Sequence, residues 1–141
     1  MCVAIHAPAK GKLIPYDEFE LMRFVNGDGM GLMWAEKGKL HIIRQLRRLG
    51  RFWGKYKALH EAGKDVVIHF RMATHGDTTL RNVHPIHINS RLALVHNGIF
   101  SGFSLKDERS DTRQFVDSIL KCLPEGWYRD DKIWETISTV T

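Results

Sequence analysis

The 141-residue sequence lacks the features that mark membrane, secreted and repetitive proteins. No stretch approaches the roughly 18 consecutive apolar residues of a membrane-spanning helix. The N-terminal residues 1–6 contain neither a basic leader nor a long apolar run, so no signal peptide is predicted. Two cysteines, Cys2 and Cys122, are too few for a disulfide framework. These absences favour a reducing, cytoplasmic location.

The sequence also lacks internal repeats, low-complexity tracts and any linker rich in Pro, Gly or Ser. Its length fits one domain, and its apolar content is enough for a core. Residues 1–141 are therefore predicted to form a single domain.

Positive charge is concentrated in one segment of a chain whose formal net charge is +5. The segment from Arg44 to Lys64 contains the basic residues Arg44, Arg47, Arg48, Arg51, Lys55, Lys57 and Lys64. Its apolar residues recur at steps of three and four and predict one buried helix face: Leu46, Leu49, Trp53, Tyr56 and Leu59. A solvated basic helix ending near Gly63 is the favoured interpretation. Contact with an acidic partner stays open, and nucleic acid is not the expected partner.

Hydrophobic periodicity predicts mixed helices and strands. Strands are predicted at residues 2–7, 31–35, 40–43, 65–70 and 91–95, with the second and third forming a hairpin and the last two central in a sheet. A helix is predicted at residues 16–25, with Asp17 and Glu20 in capping-box spacing. Its predicted core residues are Phe19, Met22 and Val25.

Two more helices are predicted toward the C-terminus. Ser110 or Asp111 caps the first, and Pro124 to Gly126 stop it. Its predicted inward residues are Phe115, Val116, Ile119 and Leu120. The second begins at Asp131 and has Ile133, Ile137 and Val140 on one side.

Cys2 is the first candidate for chemistry. Initiator methionine is usually removed when the next residue is small, and removal places a thiol and a primary amine on one residue. The unperturbed pKa is about 7.7–8.0 for an α-amine and about 8.5 for a thiol. Near neutral pH the amine can accept the thiol proton, so one residue supplies nucleophile and base. A small buried cysteine is the alternative interpretation.

Three further segments carry possible ligand-binding groups, and each also has an ordinary structural interpretation. Arg71, at the end of a predicted strand, presents a planar fork suited to a carboxylate, or else forms an internal ion pair. Asn97 and Gly98 supply two N–H donors for an oxyanion, or else form a hairpin turn. Asp111, at a predicted helix start, binds an ammonium group or simply caps the helix.

The order of these segments resembles the glutaminase domain of class II glutamine amidotransferases. After Cys2 come H-x-R-x-A-T-H-G (residues 69–76), N-x-H-P (82–85), H-N-G (96–98) and S-D-T (110–112). Residues 28–32 also resemble the D-x-x-G-L segment of that family. The resemblance covers roughly residues 2–120. It is strongest to the glucosamine-fructose-6-phosphate aminotransferases and to short stand-alone amidotransferases, including phage-encoded ones.

The resemblance implies a fold, although the chain departs from the family pattern in places. The implied fold is a four-layer αββα sandwich of antiparallel sheets, the N-terminal-nucleophile hydrolase fold. It would be shortened at the C-terminus, because the chain ends about thirty residues after S-D-T. Val3 stands where the family usually has Gly, and Met72 replaces a common aromatic residue.

The resemblance also implies an activity, the hydrolysis of the L-glutamine side-chain amide to glutamate and ammonia through a thioester on Cys2. No cofactor is implied, and ammonia would pass to a separate acceptor synthase domain or subunit. The implied catalytic residues are Cys2, Asn97 and Gly98, and the implied substrate-binding residues are Arg71, Thr74, His75 and Asp111. Arg71 would hold the α-carboxylate and Asp111 the α-ammonium, which selects free glutamine over a peptide.

Three alternatives stay open at this point. Another N-terminal-cysteine amidohydrolase would act on a different amide. A non-catalytic binding or regulatory protein would keep the fold without turnover. A zinc site is suggested by His84 and His87, three residues apart, but no metal is expected because the cysteines show no ligand spacing. The expected location is the cytoplasm, or the host cytoplasm if the chain is phage-encoded.

Overall fold

The computed structural model describes residues 1–104 and 106–139, which form an α+β domain with antiparallel sheets, as predicted. The strands are β1 (Val3–Ala7), β2 (Met30–Glu36), β3 (Lys39–Gln45), β4 (Val66–Phe70), β5 (Ile86–His87) and β6 (Ala93–Leu94). The α-helices are α1 (Tyr16–Val25), α2 (Leu49–Glu61), α3 (Asp111–Ser118) and α4 (Asp131–Thr139). Short 3-10 turns span Leu80–Asn82, Leu120–Cys122 and Trp127–Arg129.

The larger sheet has four antiparallel strands in the order β1-β4-β2-β3. The predicted hairpin is confirmed and longer than expected, with Met30 opposite Gln45 and Glu36 opposite Lys39. β1 pairs with β4 so that Val3 lies opposite Phe70. This register places the start of the chain beside the residues that follow β4.

The main core lies between this sheet and the two helices α1 and α2. Alternate β4 residues, Val66, Ile68 and Phe70, are buried in it, as the period of two in a strand requires. Phe19 of α1 is fully buried, stacks on Tyr56 of α2 at a 5.2 Å centroid distance, and meets Phe70 edge-on at 5.4 Å. Aromatic packing therefore joins both helices to the sheet.

Two details predicted for α1 are wrong. The N-cap is Pro15 and the helix begins at Tyr16, so Asp17 lies inside the first turn and accepts a hydrogen bond from the Glu18 N–H instead of forming a capping box. Val25 is 52% exposed, while Asn26 is buried. The inward stripe passes from Phe19 and Met22 to Asn26 because the helical repeat is 3.6 residues.

The predicted basic helix from Arg44 to Lys64 is also shorter than expected. β3 continues through Gln45, and α2 spans Leu49–Glu61. Arg48 separates them with a left-handed conformation, φ 65° and ψ 53°. Within α2 the inward positions Tyr56 and Leu59 are buried as predicted, and Phe52 is buried as well.

A second apolar cluster surrounds the two-stranded sheet of β5 and β6. The strand predicted at residues 91–95 is found but is shorter, because within that segment only Ala93 and Leu94 pair, opposite His87 and Ile86. Its predicted central place is wrong, since it belongs to a two-stranded sheet. The Asn89 carboxamide oxygen accepts the N–H groups of Arg91 and Leu92, so a turn takes up the donors that a longer strand would use. This cluster consists of Ile86, Phe100, Phe115, Val116, Leu120, Trp127 and Ile137.

The predicted helices near the C-terminus are found with modified ends. α3 begins at Asp111 and ends at Ser118, before the predicted stop. Of its predicted inward residues, Phe115, Val116 and Leu120 are buried, and Ile119 packs against the cluster. In α4, Ile137 is buried and Ile133 is partly buried, whereas Val140 lies outside the described residues. None of the helices described has the length and apolar character that spanning a bilayer requires.

Phe19→Ala is expected to lower the free energy of unfolding by about 3–5 kcal/mol, because it removes a fully buried ring from the main core. The matched control is Phe24→Ala in the same helix. Phe24 is 88% exposed, so its loss should change stability by no more than about 0.5 kcal/mol. Urea unfolding of both variants measures the difference, and equal effects would contradict the assigned core face of α1.

Candidate active site

Pairing between β1 and β4 places Cys2 next to the residues that follow β4. The Cys2 Sγ accepts a hydrogen bond from the Met72 N–H at 3.3 Å, and the thiol donates to the Met72 carbonyl at 3.5 Å. Cys2 is half-buried and has a free thiol. The terminal amine belongs to Met1 in the full sequence and lies 3.2 Å from the Met72 Sδ. Removal of Met1 would transfer the terminal amine to Cys2 itself.

Arg71 directly follows β4 and is only 3% exposed. Its guanidinium donates to the carbonyls of His75 at 2.8 Å, Asp77 at 3.0 Å and Gly76 at 3.5 Å. Burial lowers the pKa of the Arg71 guanidinium. Nearby acidic groups oppose that shift, and Asp28 has the largest opposing effect. Among the described residues Arg71 has no carboxylate within 4.0 Å, so the internal ion pair considered for it is not formed.

Hydrogen bonds hold the loop of residues 96–100 at both ends. The His96 N–H donates to the His84 Nδ1 at 3.4 Å, and the Phe100 N–H donates to the Asp111 carboxylate at 2.7 Å. Asn97 and Gly98 lie exposed between these two points. Residues 99–104, the described segment that follows them, contain no strand, so the hairpin turn considered for Asn-Gly is not formed there.

Asp111 is the first residue of α3 and is 7% exposed. The N-cap is Ser110, whose side chain accepts from the Arg113 N–H at 3.1 Å. The simple capping role considered for Asp111 therefore belongs to Ser110. Asp111 instead presents a buried carboxylate that fixes the neighbouring loop.

The predicted site residues surround two adjoining clefts. The first is small, and its lining includes Cys2, Arg71, Thr74, His75, Gly98 and Asp111. The second is larger and is lined by Asn97 together with Cys2, Thr74 and Gly98, among others. The six other predicted residues thus lie around Cys2, and the roles of all seven stay predictions.

Buried histidines beside the site were not assigned a role from the sequence. His69 and His84 have ring centroids 4.3 Å apart, and His96 bonds to Thr112 through its Nδ1 at 3.2 Å. Burial lowers the pKa of His69 to about 4 and that of His84 well below its ordinary value, so both are neutral near pH 7. A neutral His84 can accept the His96 N–H, which supports the loop of residues 96–100.

These histidines do not form a metal site in the part of the chain that the structure describes. Within residues 1–104 and 106–139, no group of three or more His, Cys, Asp or Glu side chains could hold an ion. His84 is buried and His87 is exposed.

Two further polar residues organise the site, and the sequence showed them only as members of motifs. The Asp28 carboxylate accepts the Ala73 N–H at 2.7 Å. The fully buried Asn82 donates to the carbonyls of Asp77 and Glu108 and accepts the Ser110 N–H. Hydrogen bonds of Asn82 therefore connect the loop after Arg71 with the start of α3.

Gly31 allows the segment around His84 to lie directly against β2. A Cβ atom at this position would overlap the carbonyl oxygen of His84, a backbone atom. Gly76 has φ +70°, and a Cβ there would meet the backbone at Ser110. Both glycines are needed for close approach around the cleft.

Comparison with known proteins finds similarity to glutamine–fructose-6-phosphate aminotransferases (isomerizing). The chain is 36% identical over 104 residues to the protein from Rhizobium meliloti, which covers 73% of the chain and 17% of the relative. It is 38% identical over 117 residues to that from Bartonella quintana, covering 75% and 19%. For Xylella fastidiosa (strain Temecula1) the identity is 32% over 121 residues, covering 82% and 19%.

The matched region is thus less than a fifth of the length of each of these three relatives. No family model matches the chain.

Gly31→Ala is expected to destabilise the protein by about 3 kcal/mol or more, because the added methyl group meets backbone that cannot move without displacing His84. Gly54→Ala is the matched control, since a Cβ at that position in α2 meets nothing within 4 Å. The control should raise stability by about 0.5–1 kcal/mol through helix propensity. Denaturant midpoints measure both, and a tolerated Gly31→Ala would contradict the close packing of residues 84–85 on β2.

Proposed function

Because the chain is a homologue of the class II glutamine amidotransferase domain at the N-terminus of glutamine–fructose-6-phosphate aminotransferase, we propose that it hydrolyses the side-chain amide of L-glutamine. Cys2, with Met1 removed, is the nucleophile in this proposal. The products are glutamate and ammonia.

One observation other than homology supports the proposal. Cys2, Arg71 and Asp111 are distant in the sequence, yet all three line the same cleft. A thiol, a buried cation and a buried anion are the groups that a free amino acid with a side-chain amide requires. A peptide-bound glutamine lacks both α-charges and would offer Arg71 and Asp111 no charged partner.

The first step forms a thioester. The Cys2 thiol proton passes to the α-amine of the same residue, and the sulfur attacks the amide carbon. The Asn97 side chain and the Gly98 N–H hold the oxygen that becomes negatively charged. The tetrahedral adduct then breaks its C–N bond as the protonated amine returns its proton to the leaving ammonia.

The second step releases glutamate. Water attacks the thioester carbon and gives a proton to the α-amine. The C–S bond then breaks, and the protonated amine returns that proton to the departing sulfur to restore the Cys2 thiol. Arg71 holds the α-carboxylate throughout, with Thr74 and His75 at the same end of the cleft, and Asp111 holds the α-ammonium.

The ammonia passes to an acceptor on a separate domain or subunit in this proposal. The relatives' name includes fructose 6-phosphate, and the matched region is less than a fifth of their length. We therefore assign the acceptor chemistry to that separate domain or subunit. We also propose that residues 1–141 form one glutaminase-type domain with the four-layer αββα arrangement. The α+β composition and the antiparallel sheets support that arrangement.

Purified protein, with loss of Met1 verified by mass spectrometry, is expected to release glutamate from glutamine. Cys2→Ala should abolish this activity, while Cys122→Ala, the matched change at the exposed free cysteine, should retain it. Asn97→Ala should lower kcat by about 10²–10³ with little change in KM, because the donor acts on the transition state.

Persistent glutamate release by Cys2→Ala would place the nucleophile elsewhere. Glutamine binding without turnover by the processed wild-type protein would instead favour the non-catalytic alternative. Calorimetric titration with glutamine separates that outcome from a complete absence of binding.

Asp111→Asn tests the ammonium contact without removing the loop contact, because the amide oxygen can still accept the Phe100 N–H. The expected result is a rise in KM for glutamine of about 10- to 100-fold, from the loss of a charge-assisted hydrogen bond. Asp17→Asn removes the same charge on the exposed side of α1 and should leave KM unchanged. Equal KM values for Asp111→Asn and wild type would exclude Asp111 as the ammonium partner.

A further inference from the structure

We propose that the cleft between β3 and α2 is a second binding site, which takes a small phosphate-bearing molecule through Arg44, Arg47 and Arg48. None of the residues that line it belongs to the lining of the Cys2 clefts. The proposal therefore does not depend on the proposed glutaminase activity.

Positive charge is concentrated in one stretch of the chain. Residues 37–60 contain eight Lys and Arg side chains and no Asp or Glu. The rest of the chain has thirteen Lys and Arg against sixteen Asp and Glu, so the net positive charge of the protein comes from this stretch alone. An anionic ligand would meet its strongest attraction here.

Three of these cations line one shallow cleft. The cleft is open to solvent, and its lining consists of Arg44, Gln45, Leu46, Arg47, Arg48 and Leu80. The left-handed conformation of Arg48 turns the chain from β3 into α2 at this point. The turn brings residues from the end of β3 and from the segment before α2 around one open cleft.

The three arginines of the cleft lack acidic partners: within the described residues, Arg44, Arg47 and Arg48 have no carboxylate within 4.0 Å. Arg44 is half-buried, and its guanidinium donates to the Leu80 carbonyl at 3.4 Å. Burial and then the charge of Arg113 lower the pKa of Arg44. A bound dianion would relieve this repulsion.

The engagement of the other cations favours a small ligand over an extended polyanion. Lys55 lies over the Trp34 ring at 4.8 Å. Lys57 lies over the Trp53 ring and is 3.8 Å from Glu61. Lys55 and Lys57 thus have a ring or carboxylate partner, whereas within the described residues Arg44, Arg47 and Arg48 have neither. The planar guanidinium fork matches phosphate oxygens in a bidentate manner, and a phosphate dianion can use more than one fork.

The test is a titration of the full-length protein with inorganic phosphate and with pyrophosphate, followed by amide NMR shifts. Sodium chloride at matched ionic strength provides the reference. Phosphate-specific shifts are expected at residues 44–48 and at Leu80. The double variant Arg44→Gln/Arg48→Gln should weaken binding by at least about tenfold, from the loss of charge-assisted hydrogen bonds.

The matched control is Lys55→Gln/Lys57→Gln, which removes the same charge from α2 outside the cleft and should change affinity by no more than roughly twofold. If the arginine double variant does not fold, Arg47→Gln alone, at an exposed position, provides the test. Equal weakening by both double variants, or equal shifts with chloride, would overturn the proposal. So would binding of a short oligonucleotide across residues 37–57 without any response to phosphate or pyrophosphate.

Discussion

The antiparallel hydrogen bonds between β1 and β4 set the position of the groups around the Cys2 cleft. With Val3 opposite Phe70, Cys2 meets the backbone of Met72, and Arg71 directly follows the paired strand β4. Because side chains alternate along a strand, a shift of one residue would move Arg71 to the opposite face. The core residues Ile68 and Phe70 fix that register, so packing far from the cleft controls its geometry.

Arg71 and Asp111 carry opposite charges beside the cleft, and each forms hydrogen bonds with backbone groups instead of an ion pair with the other. Arg71 donates to three carbonyls, and Asp111 accepts a backbone N–H. A buried charge without such partners would be strongly destabilising. Since Arg71 and Asp111 do not form a direct ion pair within the described residues, both remain available to a zwitterionic ligand, in keeping with the proposed glutamine site. The same bonds make each residue structural, so their truncation would disturb the loops as well as the ligand contacts.

Periodicity predicted the elements whose apolar pattern is long, namely α1, the β2–β3 hairpin and β4. It failed where tertiary contacts decide the outcome. The segment around Ala93 has a strand-like composition but only a two-residue partner, so its pairing stops early. The sequence motifs predicted which residues would meet at Cys2, because their order along the chain resembles a known family. They did not show that Asn82 joins two loops, since a buried amide leaves no periodic signal.

The outer edge of β3 has no strand paired with it among the described residues. Unpaired edges invite the addition of a strand from another molecule, which is a common route to aggregation. Lys39 and Arg44 lie along this strand, and a second copy docked edge to edge would bring like charges together. Electrostatic repulsion would therefore oppose edge-to-edge pairing of two copies at β3.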